Sequence, residues 1–231
     1  MEAKLEYKPD PDCPKCRGAG FLHPRDDNGK PEYDKVIVCD YPGCLLDQIR
    51  AYKQGVPYKQ KRGIKSARTF DTFKPVSGTE EALSLAKKFT ELKEFIWLLI
   101  YGGVGNGKTH LANAVANKLC RDGNDARIFT CPDLFTQLRQ QMNNNSADNF
   151  LEELKRVDTL IIDDYGMEYG TQFEQARFEE LLDYRYRELL PTMVVTNKDL
   201  KDLPPRLASR FADKEISRIA LNSAPDFRLR K

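Results

Sequence analysis

Hydrophobic and polar residues alternate in blocks over residues 79–221, and these blocks predict an α/β fold. The run FIWLLIY at residues 95–101 is continuously apolar, which is typical of a strand buried on both faces of a sheet. Further strands are predicted at 126–130, 159–163, 192–197 and 215–221. Before and between the strands, apolar residues recur at helical spacing and predict helices over 79–93, 107–120, 132–142, 150–156 and 171–190, with a polar loop at 143–149. Strands that alternate with helices form βαβ units, so we predict a parallel sheet with helices on both faces.

The first 50 residues lack this alternation and contain four of the six cysteines. Cys13 and Cys16 form a C-x2-C pair, and Cys39 and Cys44 form a C-x4-C pair after a gap of 22 residues. Each pair can place two thiolates on one tight turn, and two such turns can close a tetrahedral zinc site. Four unrelated reduced thiols are the alternative. The paired spacing favours a bound Zn²⁺.

Composition and charge limit what the whole chain can bind. The chain has 231 residues, with Lys+Arg 37 against Asp+Glu 35, so the net charge of +2 excludes a chain-wide electrostatic attraction to nucleic acid. The basic residues are concentrated locally: the segment 50–70 holds seven bases and no acid. It is either a solvated linker or a contact for a nucleic acid backbone.

Length and composition shifts suggest two folded parts. We predict a Cys-rich domain at 1–50, a basic linker at 51–78 and an α/β domain at 79–231. The apolar run at 95–101 is far too short to span a bilayer, and the N-terminus has no apolar signal region. We therefore expect a cytoplasmic protein without a membrane contact.

A glycine-rich loop follows the first predicted strand and opens the next helix. It fits the pattern G-x4-G-K-[ST] through Gly102, Gly103, Val104, Gly105, Asn106, Gly107, Lys108 and Thr109. In such a P-loop the backbone N–H groups surround phosphates at a helix N-terminus. We expect Lys108 to reach the β- and γ-phosphates of ATP and Thr109 to ligate Mg²⁺. A glycine-rich turn without a ligand is the alternative, which the flanking strand and helix disfavour.

Polar residues end two other predicted strands. Asp163 and Asp164 close the apolar run at 159–163, and Asn197 closes the run at 192–197. Ligands of α/β proteins bind at the carboxyl ends of the strands. We therefore expect Asp163 to hold Mg²⁺, Asp164 to polarise the attacking water and Asn197 to orient that water or touch the γ-phosphate. An Asx turn is the alternative for Asn197.

The ordered motifs GGVGNGKTHL, TLIIDDYG, MVVTN and PPRLASRF resemble those of the AAA+ ATPases of the replication-initiator clade. Within that clade they are most similar to the bacterial and phage replicative helicase loaders of the DnaC/DnaI type, whose relatives are the IstB-type transposition ATPases. The resemblance covers residues 68–231 and implies an AAA+ domain whose helical lid is missing or vestigial. The Cys-rich segment resembles the N-terminal domains of some loaders more loosely.

The resemblance also implies roles for arginines that nothing else singles out. Arg210 matches the arginine finger that reaches into the ATP site of a neighbouring subunit, and Arg206 is the second candidate. Arg228 lies where the family carries a sensor-2 arginine. DNA contacts of the family lie after the second strand, where Phe129 and Phe135 are found here, although a Phe at helix spacing is more often a core residue.

Taken together, the resemblance implies an ATPase that loads a DnaB-type hexameric helicase onto single-stranded DNA in replication initiation. The Cys-rich domain would bind the helicase, and the AAA+ domain would bind Mg-ATP and self-associate. Two alternatives stay open. One is a transposition helper ATPase of the IstB type, and the other is a zinc-dependent DNA-binding adaptor for which ATP is only a ligand.

Overall fold

The computed structural model describes residues 11–17, 19–23, 30, 37–39, 41, 64, 67–143, 147–166 and 170–229. Contacts within the chain divide it into two compact units. The first is Met1–Arg62 with Cys120–Asn124, and the second is Gly63–Leu119 with Asp125–Lys231.

The first unit contains a short antiparallel ladder. Strand β1 (Phe21–Leu22) pairs with β2 (Ile37–Val38). The ladder brings Cys39 next to Gly20, since Cys39 directly follows β2 and its N–H donates to the carbonyl of Gly20 over 2.8 Å. Cys13, Cys16 and Cys39 are all buried.

The second unit is built on a five-stranded sheet in which every pairing is parallel. Its strands are β3 (Trp97–Tyr101), β4 (Ala126–Thr130), β5 (Thr159–Tyr165), β6 (Thr192–Thr196) and β7 (Ser217–Leu221). Their order across the sheet is β4-β5-β6-β3-β7. The predicted parallel sheet is therefore confirmed, and β3, which leads into the P-loop, lies between β6 and β7.

The described residues of the chain contain six helices. They are α1 (Glu80–Phe89), α2 (Lys108–Arg121), α3 (Cys131–Asn143), α4 (Ala147–Arg156), α5 (Gln172–Arg187) and α6 (Pro205–Ala212), and 3-10 turns occur at Leu200–Asp202 and Phe227–Leu229. The start of α5 is set by a capping box, in which the Thr171 hydroxyl accepts from the N–H of Glu174 and the Glu174 carboxylate accepts from the N–H of Thr171. The polar loop predicted at 143–149 extends too far toward the C-terminus, because α4 begins at Ala147 with Asp148 in its first turn.

Both faces of the sheet are covered, as the continuous apolar strands predict. Trp97 and Leu99 of β3 belong to a core cluster that includes residues of α3, α4, α5 and α6. Leu98 and Ile100 point to the opposite face and are also fully buried. In the part of the chain that the structure describes, no helix has the length and apolarity needed to cross a membrane.

A buried arginine connects α5 to the loops at the amino ends of the strands. The Arg185 side chain is 0% exposed. Its guanidinium donates to the Thr192 hydroxyl and to the backbone carbonyls of Leu154, Val157, Asp158 and Pro191, over 2.7–3.3 Å. Burial lowers its pKa to about 10. The five hydrogen bonds offset the cost of burying the charge, so Arg185 stabilises the end of the sheet opposite the P-loop.

Candidate nucleotide site

The P-loop joins the carboxyl end of β3 to the first turn of α2. Three of its glycines have positive φ, including Gly102 at +137° and Gly107 at +96°, and neither of these two has room for a side chain. A Cβ at Gly102 would overlap the carbonyl oxygen of Asn222, and a Cβ at Gly107 would lie 2.9 Å from the ring of Phe73. Gly103, by contrast, faces open space. The loop is therefore packed against the protein on one side and open on the other.

Lys108 is buried at the mouth of this loop and is turned back onto it. Its ammonium donates to the carbonyls of Gly102 and Gly103 over 2.9 Å and 2.5 Å and to the Asn106 side-chain oxygen over 3.1 Å. Burial lowers the pKa of Lys108 to about 8, although Asp163 and Asp164 act in the opposite direction. The phosphate oxygens of a nucleotide offer this ammonium stronger acceptors than neutral carbonyls do.

Thr109 and Asp163 meet between the P-loop and the sheet. The Thr109 hydroxyl donates to a carboxylate oxygen of Asp163 over 3.3 Å. Asp163 is 1% exposed, and burial, followed by the charge of Asp164, raises its pKa to about 6. Hydroxyl and carboxylate oxygens are the donors that Mg²⁺ prefers. A cation beside this carboxylate would relieve its unfavourable burial, so the residues present fit a bound Mg²⁺.

The next residue, Asp164, lies in a β-bulge. On β5, Ile162 pairs with Val194 and Tyr165 pairs with Thr196, so β5 has one more residue than β6 in this interval. Asp164 takes the left-handed conformation, with φ of +53°, and its N–H donates to the Asp163 carboxylate over 3.0 Å. Bulges re-aim side chains. This bulge gives two successive carboxylates on one strand different surroundings, one buried and one partly exposed.

Asn197 follows the strand that separates β5 from β3. Strand β6 ends at Thr196, whose hydroxyl donates to the carbonyl of Tyr165 over 2.6 Å and accepts from the N–H of Lys198 over 3.0 Å. Asn197 itself is exposed. Strand β6 lies between β5, which carries Asp163, and β3, which leads into the P-loop. Asn197 therefore follows a strand at the centre of this group.

Arg210 is held within its own chain on α6. Its guanidinium pairs with Asp183 and lies 5.9 Å from the centre of the Tyr186 ring, and burial lowers its pKa. It lines a surface depression of 760 Å³ between α5 and α6. Arg206 is far more exposed, with its guanidinium 3.6 Å from Glu179. The sequence pattern did not predict α6 as an element, although the family resemblance drew attention to its arginines.

The C-terminal segment contacts the P-loop in a way that the sequence did not indicate. Asn222 exchanges two hydrogen bonds with Asn106, and the N–H of Phe227 donates to the carbonyl of Gly105 over 2.9 Å. Arg228 is exposed in the 3-10 turn that follows. The rule that flagged Asn197, a polar residue just after a strand, would also have flagged Asn222.

Three cysteines of the first unit form a candidate metal centre. The sulfur atoms of Cys13, Cys16 and Cys39 all lie within 4.8 Å of one another, and the N–H of Gly20 donates to the sulfur of Cys16 over 3.2 Å. Three buried thiols around one point fit a thiophilic cation such as Zn²⁺. Cys44, the fourth predicted ligand, lies outside the described residues.

The two phenylalanines considered for DNA stacking are core residues. Phe129 and Phe135 are 6% and 4% exposed. The ring centre of Phe129 lies 6.2 Å from that of Phe150, and the ring centre of Phe135 lies 5.6 Å from that of Phe178. Neither ring is accessible to a base, so the core interpretation is correct for both.

Comparison with known proteins agrees with this geometry. The chain is similar to the replicative helicase loader DnaC of Escherichia coli (strain K12), at 28% identity over 177 residues that cover 68% of this chain and 71% of the relative. It also resembles a crystal structure of the DnaC helicase loader, with a TM-score of 0.57 and 24% identity over 68% of this chain and 97% of the other. AMPPCP-bound DnaA from Aquifex aeolicus shares the fold at a TM-score of 0.63 and 22% identity, but the match covers 69% of this chain and only 51% of the DnaA chain.

These similarities confirm the resemblance to AAA+ helicase loaders that the motifs predicted. The profile of the IstB-like ATP binding proteins matches residues 75–219, which include the P-loop, Asp163 and Arg210. We conclude that the chain belongs to the family of IstB-like ATP binding proteins.

Proposed function

We propose that this protein is an ATP-dependent loader of a hexameric replicative helicase, with Mg-ATP binding and hydrolysis as its switch. The observation that carries the proposal is the contact of Thr109 with Asp163, which joins the P-loop to the acidic strand end over 3.3 Å. This pairing is what a magnesium-dependent nucleotide site requires. The similarity to the loader DnaC supplies the biological context.

The proposed chemistry is electrostatic positioning by residues of this chain. Lys108 binds the β- and γ-phosphates, and Thr109 with Asp163 holds Mg²⁺, which neutralises charge on the phosphate oxygens when bound. Asp164 accepts a proton from the attacking water, and Asn197 orients that water. The bulge supports different roles for the two aspartates, magnesium binding by Asp163 and proton acceptance by Asp164, because it leaves Asp164 more exposed.

Completion of the site by a second copy of the chain is part of the proposal. Arg210 would enter the ATP site of a neighbouring subunit and stabilise charge on the transferred phosphoryl group, as arginine fingers do. In the isolated chain its guanidinium is paired with Asp183. Assembly would therefore exchange an intramolecular partner for a phosphate. Arg228 is proposed as a further contact to the nucleotide.

The Cys-rich segment is proposed to bind the helicase. We assign residues 1–50 to this domain, 51–78 to a basic linker and 79–231 to the ATPase domain. Cys13, Cys16, Cys39 and Cys44 would hold one Zn²⁺, which closes the turns of a segment too small to have a large core. Single-stranded DNA is a proposed partner as well, and we expect a cytoplasmic protein.

Co-purification with the replicative helicase of the same organism tests the proposal. The full chain should retain the helicase in the presence of ATP, and a chain lacking residues 1–65 should not. Helicase binding that survives the truncation would contradict the domain assignment. Absence of binding by the full chain would contradict the loader function.

A transposition helper ATPase is the second candidate, because the matching family profile is that of the IstB-like proteins. The two candidates share the ATPase domain and differ in their partner. Binding to a transposase with no binding to the helicase would favour this alternative.

A further inference from the structure

A buried pair of asparagines connects the P-loop to the segment after the last strand. The Asn106 side-chain NH₂ donates to the carbonyl of Asn222 over 2.6 Å, and the Asn222 side-chain NH₂ donates to the carbonyl of Asn106 over 3.1 Å. The two residues are 4% and 0% exposed. Buried amides that lose their partners are costly, so this reciprocal pair strongly favours the observed loop conformation.

Asn222 is itself fixed at both its backbone and its side chain. Its N–H donates to the carbonyl of Tyr101 at the end of β3 over 2.8 Å. Its side-chain oxygen accepts from the N–H of Ala224 over 3.3 Å. Its carbonyl oxygen occupies the space that a side chain at Gly102 would need. Asn222 is therefore a rigid support beside the first glycine of the P-loop.

Asn106 transmits this support to the lysine of the loop. Its side-chain oxygen accepts from the Lys108 ammonium over 3.1 Å, while its NH₂ group donates to Asn222. One amide thus contacts the phosphate-binding lysine with one atom and the C-terminal segment with the other. A change at Asn222 would therefore reach Lys108 through Asn106.

A second contact keeps the C-terminal segment along the loop. The N–H of Phe227 donates to the carbonyl of Gly105, whose φ is +70°, and the Asp226 carboxylate fills the space where a Gly105 side chain would lie. The same carboxylate accepts from the N–H of Arg228 over 2.9 Å. The segment therefore supports the middle of the loop as well as its start.

We propose that Asn222 is a positioning residue of the nucleotide site, which acts through Asn106 to hold the P-loop and Lys108 in the phosphate-binding conformation. The inference rests on the proposed ATP-binding function and adds to it a residue outside the P-loop. It explains why a polar residue is fully buried directly after an edge strand of the sheet.

The test compares nucleotide binding by Asn222→Leu with that of the wild-type protein. A leucine side chain has a similar size but can neither donate to the Asn106 carbonyl nor accept from the Ala224 N–H. The dissociation constant of a fluorescent ADP or ATP analogue should therefore rise about tenfold. Thr192→Val is the matched control, because it also removes buried hydrogen bonds, to Arg185 and Leu190, at the opposite end of the sheet. The control should lower the unfolding temperature and leave nucleotide binding unchanged.

A double-mutant cycle separates positioning through Asn106 from a general loss of stability. Asn106→Ala and Asn222→Leu should each weaken binding, and the double variant should bind no more weakly than the weaker single variant. Independent effects would instead multiply to about a hundredfold. If Asn222→Leu does not fold, Asn222→Ser enters the same cycle with the same two outcomes.

The outcomes also distinguish this inference from the proposed function. Nucleotide binding by Asn222→Leu that equals wild-type binding would overturn the inference alone. Multiplicative effects in the double-mutant cycle would do the same. A wild-type protein that binds neither ADP nor ATP would contradict the proposed function and the inference together.

Discussion

The ammonium of Lys108 donates to the carbonyl oxygen of Gly103 over 2.5 Å, so the lysine of the P-loop binds its own loop. Because the same ammonium also contacts Gly102 and Asn106, its charge is well satisfied within the protein. Nucleotide binding must therefore replace the two backbone carbonyls with phosphate oxygens, while the contact with Asn106 can persist. The loop is already ordered around the lysine.

The buried position of Lys108 predicts a pH dependence of folding stability. Its pKa falls from 10.5 in the unfolded chain to about 8 in the folded one. Between these values the unfolded chain binds a proton that the folded chain has lost, so stability rises with pH across this window. Urea unfolding of the nucleotide-free protein should show this rise relative to Lys108→Met. A stability difference between the two proteins that stays constant from pH 7 to 10 would contradict the expectation.

The left-handed backbone of Asp164 makes asparagine a gentle probe of its role. Asparagine tolerates a φ of +53° and has nearly the same shape, so Asp164→Asn should fold normally. It should bind ATP within about threefold of wild type, yet hydrolyse it about a hundredfold more slowly, because it no longer accepts the proton of the water. Steady-state hydrolysis and equilibrium binding measure the two effects. Unchanged hydrolysis would exclude Asp164 as the base.

Mixing two inactive variants tests whether Arg210 acts in a neighbouring site. Lys108→Ala removes the phosphate contact in the subunit's own ATP site. Arg210→Ala leaves that site intact and removes the arginine from the ATP site of the neighbouring subunit. Each variant alone should be inactive, whereas an equimolar mixture should recover roughly a quarter of the wild-type hydrolysis rate. Arg187→Ala, at an exposed arginine lining the same depression, is the control and should keep the wild-type rate. A mixture that recovers no activity would contradict action between subunits.

The cysteine cluster predicts one Zn²⁺ per chain. Metal analysis of the purified protein should find close to one equivalent, because three buried thiols already lie within 4.8 Å of one another. Cys13→Ser should remove most of the metal. Cys131→Ala, at a buried thiol of α3, should retain it. Well under one zinc per wild-type chain would contradict the site.

Local signals account for the parts of the molecule that the sequence predicted. The strand predicted at 126–130 matches β4 at both ends. The glycines of the P-loop are required by backbone conformation and close contacts, which act within a few residues. The helix predicted at 171–190 extends three residues beyond the end of α5, because the chain turns after Arg187 at Leu189, where φ is +51°.

Long-range contacts account for the parts that the sequence did not reveal. Asn106 and Asn222 are 116 residues apart, so neither predicts the other. The bulge at Asp164 depends on the register between β5 and β6 and not on the local pattern. Arginines on helices usually face solvent, but Arg185 of α5 is buried and donates to four backbone carbonyls of other segments.

The most direct test of the account is a helicase-loading assay on protein-coated, circular single-stranded DNA. The replicative helicase of the same organism should unwind an annealed strand much faster when this protein and ATP are both present. Lys108→Ala should remove the stimulation. Stimulation that is equally strong without ATP, or no stimulation by the wild-type protein, would contradict an ATP-dependent helicase loader.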